Sequence, residues 1–356
     1  MRINRGGRPL APPQLDGLPN GGENPLLKIQ VAGDRPVARI YSELSELIGN
    51  TPLIDLQRIR KSRDIQSRIL AKIEYLNPAG SIKDRTAWSI IKEAEKSGRL
   101  KPGDLLVDIT SGNTGIGLAA VAASRGYRTK FYLRDIISRD KINILHQLGA
   151  EVVLVDNNEF LAPDGILAVL ERIKRENPKA FFTDQRTNPA NPLIHAETTG
   201  PEIWQDSDGA VDILVGTVGT GGTISGAGRF LKERKQQLQV VVCEPTVDSV
   251  PTKDNPHAEA IEGVHKVTEV DETHLPETYD STVVDEVIAI TTAQARETAL
   301  LVAREEGLLV GTSSGAAVSA ALVLAARPEN AGKTIVVIIP DNGERYLSSS
   351  PVAADS

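Results

Sequence analysis

The stretch Asn77-Pro78-Ala79-Gly80-Ser81-Ile82-Lys83-Asp84-Arg85 sets a lysine where a strand gives way to a helix. Residues 68–76 alternate apolar and polar types, as a strand does. Downstream, Ala87, Ile90, Ile91 and Ala94 recur on one helical face, and Gly98 stands where the helix should end. A lysine at such a junction, beside the breakers Pro78 and Gly80, can enter a cleft and lose solvent. Desolvation lowers an ammonium pKa and leaves a free amine, a nucleophile toward carbonyls. Taken alone, Lys83 reads more readily as a solvated lysine at a helix start, the usual fate of lysines.

Three glycine-rich loops could serve the same chemistry. Thr110-Ser111-Gly112-Asn113-Thr114-Gly115 offers hydroxyls, an amide and backbone N–H groups at a predicted helix N-terminus, a combination that binds a carboxylate or phosphate. Ordinary helix capping is the competing reading, but four polar side chains in six residues exceed one cap's needs. Gly219-Thr220-Gly221-Gly222-Thr223 would let a phosphate approach the backbone closely. It is neither a Walker A loop nor the dinucleotide fingerprint, and a tight turn explains it nearly as well. Gly311-Thr312-Ser313-Ser314-Gly315-Ala316 is either a helix cap or a site where a serine reaches a ring nitrogen.

These loops need a scaffold. Strands are predicted at 105–108, 129–133, 151–155, 212–215, 238–243, 287–290 and 334–339. Helices are predicted at 116–125, 138–148, 161–174, 193–204, 223–233, 293–306 and 314–326. Several strands are unbroken Val, Ile and Leu runs, as expected where both faces of a parallel sheet are covered. The alternation reads as an α/β fold with helices on both faces. In such folds ligands sit at the carboxyl ends of the strands, which makes the strand-to-helix loops the place to look.

Composition narrows the function classes. A net charge of −7 without a basic stripe gives no expectation of nucleic-acid binding. No apolar run reaches membrane-spanning length, so no membrane role is expected. The five histidines lack metal-ligand spacing and no zinc site is expected. The single Cys243 sits in the apolar run Val240-Val241-Val242 and reads as a small buried hydrophobe. The cytoplasm is the expected compartment. Residues 1–40 are rich in proline and glycine, lack a signal-peptide pattern, and read as a flexible arm.

Taken together and in order, the pieces resemble the cysteine synthase and cystathionine β-synthase family, fold-type II pyridoxal phosphate enzymes closest to O-acetylserine sulfhydrylase. The segments that carry the resemblance are Ile48-Gly49-Asn50-Thr51-Pro52-Leu53, the Lys83 stretch, the three glycine loops, residues 191–204 with Glu197-Thr198-Thr199-Gly200-Pro201-Glu202-Ile203, and Pro340-Asp341-Asn342-Gly343-Glu344-Arg345-Tyr346-Leu347. Seven collinear matches over residues 41–348 reverse the solvated reading of Lys83.

The resemblance implies two lobes, each with a mostly parallel sheet, and the cofactor pyridoxal 5'-phosphate in the cleft between them. The larger domain would be 41–76 plus 190–348, the smaller, mobile one 77–189, with a tail at 349–356. Lys83 would form the internal aldimine, and Asn113 would bond the ring hydroxyl oxygen. Gly219, Thr220, Gly221, Gly222 and Thr223 would cradle the phosphate, and Ser313 would face the pyridine nitrogen. Thr110, Ser111, Thr114 and Gln185 would hold the carboxylate of an amino-acid substrate. The implied reaction is β-replacement on O-acetylserine by sulfide through an α-aminoacrylate, in a homodimer. The sequence is not expected to carry the regulatory tandem domain or haem-binding extension of some relatives.

Two departures bear on the substrate. The loop Glu262-Gly263-Val264-His265-Lys266-Val267 brings two cationic side-chain types to a position that is often glycine, and Gly263 and His265 join the candidate substrate residues. His265 and Lys266 could meet an anionic leaving group or nucleophile, or could lie on a surface loop. Leu133-Arg134-Asp135 replaces the family's more usual Met-Pro start. Other readings are another donor or acceptor (O-phosphoserine, homocysteine or an amine) and a catalytically idle binding partner of the same fold. Intact Lys83, Asn113, Gln185 and Ser313 argue against the last.

Overall fold

The computed structural model describes residues 40–347, apart from 111, 163–164, 253–254 and 256–257. The predicted arm, the predicted tail and Ser111 therefore lie outside the described residues. Among the described residues ten strands form two sheets: β1 Leu53–Asp55, β2 Arg68–Ile73, β3 Leu105–Ile109, β4 Arg128–Arg134, β5 Glu151–Val155, β6 Phe181–Phe182, β7 Val211–Thr217, β8 Gln239–Pro245, β9 Glu286–Ile290 and β10 Thr334–Ile339. The larger sheet runs β1-β2-β10-β7-β8-β9, and the smaller runs β5-β4-β3-β6. All pairings are parallel except β1 with β2.

Strand alternation explains why helices cover both faces. Successive side chains of a strand point to opposite sides. Ile69, Ala71, Ile335, Val337, Ile213 and Val215 enter one apolar cluster with Ala295, Val302 and Ala317, from the helices Thr292–Glu306 and Thr312–Ala325. Their neighbours Leu70, Val336, Ile338 and Leu214 enter another with Ile203, Ile224 and Leu231, from the helices Gly200–Asp206 and Gly222–Arg234. The smaller sheet divides likewise, with Leu106 and Phe131 on one face and Val107 and Tyr132 on the other. Among the described residues, no helix is long and apolar enough to cross a membrane.

Three predicted elements differ. The strand-like run 68–76 stops at Ile73, and Glu74–Leu76 is a 3₁₀ turn. The helix expected at 161–174 is two helices, Asn157–Leu161 and Gly165–Glu176, with Ala162 extended between them. Ala162 precedes Pro163, and proline disfavours helical backbone in the residue before it. The helix expected at 193–204 is Ala190–Ile194, a π-helical turn His195–Thr199, and Gly200–Asp206. Pro201 has no N–H to give the regular ladder, and the Thr198 hydroxyl donates to the Ile194 carbonyl at 2.6 Å.

One buried ion network fastens the Lys83 segment to the larger sheet. Arg85 is 1% exposed; its Nε donates to Glu74 Oε2 at 2.8 Å and its Nη2 to Glu202 Oε2 at 2.6 Å. Buried Lys72 of β2 pairs with the same Glu202 at 2.8 Å. Burial alone would raise the Glu202 carboxyl, but bonds and charge from Arg85 and Lys72 hold it at about 2. Its stabilising contribution is therefore complete above the usual carboxylate value of 4.5 and is lost as pH falls toward 2. Arg85→Met leaves buried Glu74 without its cation and Glu202 with Lys72 alone, and should cost about 3–5 kcal/mol. Urea unfolding at neutral pH, read as a lower midpoint at unchanged slope, checks this, and the deficit should shrink toward pH 3.

Candidate active site

The carboxyl ends of β2, β3, β7 and β10 deliver their loops to one cleft of about 710 Å³. Lys83 lines it, as the first residue of the helix Lys83–Lys96. The lysine's own segment is pinned from both sides. Ile82 N–H donates to the Pro340 carbonyl just past β10, and Ser81 Oγ accepts from Lys83 N–H at 3.2 Å. Among the described residues the Lys83 amine has no hydrogen-bond or ion-pair partner. The surrounding cleft wall strips water from it and lowers its pKa to about 8, while the Asp341 carboxylate partly opposes the shift. At pH 7 roughly one such amine in ten is free base.

Loop 110–112 and the helix Asn113–Ser124 supply the next group. The Thr110 hydroxyl oxygen accepts from the N–H groups of Gly112 and Gly115, at 3.1 and 3.0 Å. Part of the loop's polarity is thus spent on capping, as the competing reading held. Thr114 donates to Gln185 Oε1 at 2.8 Å, which places those two predicted carboxylate holders side by side. Asn113 is held at both ends. Its Nδ2 donates to Asp341 Oδ2 at 2.6 Å and its Oδ1 accepts from Arg345 at 2.7 Å. One amide hydrogen is left for a ligand. Asp341 Oδ2 also accepts from the Tyr346 hydroxyl, while its buried Oδ1 lacks a partner among the described residues.

The glycine turn after β7 is built so that no side chain can fill it. Gly221 has φ +83, and a Cβ there would sit 2.5 Å from Tyr279 Cβ. A Cβ on Gly222 would lie 2.1 Å from Asn191 Oδ1. Gly222 opens the 13-residue helix Gly222–Arg234, whose first N–H groups and dipole favour an anion. Asn191 Nδ2 donates both to Thr220 Oγ1 at 2.8 Å and to the Gln185 carbonyl at 2.9 Å. One amide thus fixes the glycine turn and the Gln185 backbone together. His195 stands 3.3 Å from Thr223 Oγ1. Burial first, then the charges of Arg85 and Lys83, push its pKa well down, so it meets Thr223 as a neutral ring. Glycine backbone, helix N-terminus and threonine hydroxyls form a donor set that fits a phosphate, and a partnerless, desolvated lysine in the same cleft fits an aldehyde. Pyridoxal phosphate carries both.

Of the predicted residues, Lys83, Thr110, Asn113, Thr114, Gln185 and Ser313 line the cleft, as do Gly219, Thr220, Gly221, Thr223, Gly263 and His265. Gly222 lies behind the turn, against Asn191. Ser313 rather than Ser314 faces the cavity; Ser314 is fully buried and its Oγ has no partner among the described residues. The expectation of positive charge from His265 and Lys266 is corrected. Lys266 Nζ is neutralised by Glu244 at 2.9 Å and Glu269 at 3.2 Å. His265 opens onto the cleft's water, yet protein on most sides and the charges of Arg186, Arg134 and Lys83 draw its pKa to about 4, so it is uncharged at pH 7. Sequence reasoning did not single out Arg186 and noted Arg134 only within a divergent segment; both line the cleft. The signal was adjacency: Arg186 follows Gln185, and Arg134 closes a strand at its carboxyl end.

A family model described as pyridoxal-phosphate dependent enzyme matches residues 44–341. The chain is 43% identical over 317 residues to cysteine synthase A of Escherichia coli K12, covering 88% of this chain and 96% of that one. A crystal structure of cysteine synthase from Entamoeba histolytica superposes with a TM-score of 0.77 at 39% identity, over 90% of this chain and 93% of the other. O-ureido-L-serine synthase gives 0.79 at 33% identity, over 89% and 97%. With the family model matching residues 44–341, the chain belongs to the pyridoxal-phosphate dependent enzyme family.

Proposed function

We propose that the protein is a cysteine synthase that replaces the acetoxy group of O-acetyl-L-serine with sulfide, giving L-cysteine and acetate. The observation that carries this reading is the partnerless, desolvated Lys83 amine sharing one cleft with the glycine-lined helix N-terminus at 219–223. Bound there, pyridoxal phosphate supplies an aldehyde for an amine and a ring that draws electrons from the substrate's α-carbon.

The chain's own residues do the rest. Gly219, Thr220, Gly221 and Thr223 hold the phosphate, and Gly222 allows the turn to close on Asn191. Asn113 offers its spare amide hydrogen to the ring oxygen. Ser313 gives the ring nitrogen a hydroxyl partner, which, unlike a carboxylate, cannot enforce a full positive charge. Thr110, Thr114 and Gln185 hold the substrate carboxylate, with Ser111 in the same loop. Lys83 Nζ, whose lowered pKa gives it a free-base fraction at neutral pH, accepts the α-proton. The segment 77–189, carrying β3–β6, acts as the mobile smaller domain against 41–76 and 190–348; its closure excludes water. The reading includes a cytoplasmic homodimer, consistent with an unpaired, buried Cys243 and with the exposed apolar Tyr41 and Leu47.

Purified protein given the cofactor should turn yellow, and borohydride should leave the cofactor's mass on the peptide carrying Lys83. Cysteine should form from O-acetyl-L-serine and sulfide, and Lys83→Ala should lower turnover roughly 10²–10⁴-fold. A colourless protein, or a tag on another lysine, would refute the reading.

The amine's titration gives a second check. In cofactor-free protein, acylation of Lys83 followed by peptide mass should rise with pH about a midpoint near 8. Asp341→Asn removes a charge that favours the ammonium, so the midpoint should move lower still.

A further inference from the structure

The cleft holds two cations that the replacement of acetate by sulfide does not use. Arg134 ends β4 and Arg186 follows Gln185, and both line the cavity half-buried. Among the described residues neither guanidinium has an acidic partner. Arg134 has Asn157 Oδ1 at 3.4 Å and the Phe160 ring at 4.8 Å. Arg186 donates to the His274 carbonyl at 2.8 Å. The neighbouring charges behave differently: Lys266 is paired with Glu244, Arg296 with Glu259, and Glu262 with Lys141. Two desolvated arginines left without counterions, beside a substrate-carboxylate holder, are a cost unless an anion arrives. An arginine cannot shed its proton to escape that cost, and its planar fork suits phosphate and carboxylate oxygens.

We propose that Arg134 and Arg186 form an oxyanion subsite for the β end of the reaction, selecting a substrate that carries a second negative group there. This rests on the cysteine synthase reading of the same cleft and deepens it. A phosphate ester on the serine oxygen matches two guanidinium groups best; a carboxylate on the incoming nucleophile is the other source of the same chemistry. His265, neutral and lining the same cleft, adds a hydrogen-bonding ring without charge. With O-phospho-L-serine the Cβ–O bond breaks and its electron pair leaves with the phosphate. The α-proton passes to Lys83, the electron pair of hydrosulfide makes the Cβ–S bond, Lys83 returns the proton to the α-carbon, and the products are cysteine and inorganic phosphate. No oxidant or reductant is needed.

The test compares O-phospho-L-serine with O-acetyl-L-serine as donors to sulfide in the holoenzyme. Arg134→Gln and Arg186→Gln should each lower the phospho-to-acetyl ratio of kcat/KM about 10- to 100-fold, with Arg134→Lys and Arg186→Lys recovering part of it. Inorganic phosphate should compete with the amino-acid substrate in the parent enzyme and lose that competition in the glutamine variants. If the parent enzyme instead joins O-acetyl-L-serine to aspartate or glutamate, and the glutamine variants lose that product selectively, the oxyanion comes from the acceptor and the subsite stands. A ratio that moves less than about twofold with no anionic acceptor used, or variants that release cofactor while keeping the ratio, would overturn it. Cysteine made from O-acetyl-L-serine under those outcomes leaves the parent reading intact; no cysteine from any donor defeats the parent reading instead.

Discussion

A buried guanidinium two residues past the desolvated Lys83 holds the cleft to the scaffold. Arg85 ties Glu74, at the end of β2, to Glu202 on the helix Gly200–Asp206. Because Glu202 also takes Lys72, four charges share one desolvated knot. Such a knot adds little net stability over an apolar equivalent, but it is unforgiving of a missing partner. Its effect is positional: the first turn of the helix Lys83–Lys96 cannot shift without unpairing a buried charge. With Ile82 bonded to the strand-end carbonyl of Pro340, this fixes where the lysine stem begins.

Around that fixed point the fold applies one device repeatedly. After β3 and after β7 a parallel strand ends, a glycine-containing loop turns, and a helix begins, whereas the third loop joins the helices Thr292–Glu306 and Thr312–Ala325. At 110–115 the device is partly spent on Thr110 capping its own loop. At 219–223 Asn191 occupies the space a Cβ would need and braces Thr220. The third loop admits Ser313 to the cleft and seals Ser314 into the core. A glycine-containing helix start put to three different uses explains why each loop, read singly, had two defensible meanings.

The strands and most helices were legible because alternation and unbroken Val and Ile runs carry their own signal. The short β1 and β6 were not, since three or two residues hold no period. The break after Leu161 was signalled by the Ala162-Pro163 pair in the sequence but obscured by apolar residues on either side. Site residues borne on loops were found through glycine and hydroxyl clustering. The bracing of Asn191, the neutrality of His195 and the pairing of Lys266 with Glu244 depend on residues 22 or more positions apart, which no local pattern encodes. Gln185 came from family resemblance, and Arg186 beside it had no motif to announce it.

The cleft's electrostatics follow from one cause acting on two chemistries. Loss of water favours the uncharged form of any cation. Lys83 can respond by releasing its proton, and its pKa falls to about 8. Arg134 and Arg186 face the same loss, and burial lowers both, but from a starting value so high that they remain charged at every physiological pH. The same desolvation therefore makes a base of one residue and leaves the other two as fixed positive charges. Asp341 adjusts the first, because its carboxylate keeps the lysine from falling further. Among the described residues nothing acidic adjusts the other two. In a chain of net charge −7, acidic groups were abundant, so the unbalanced positive charge at this spot is a property of the cleft and not of the composition.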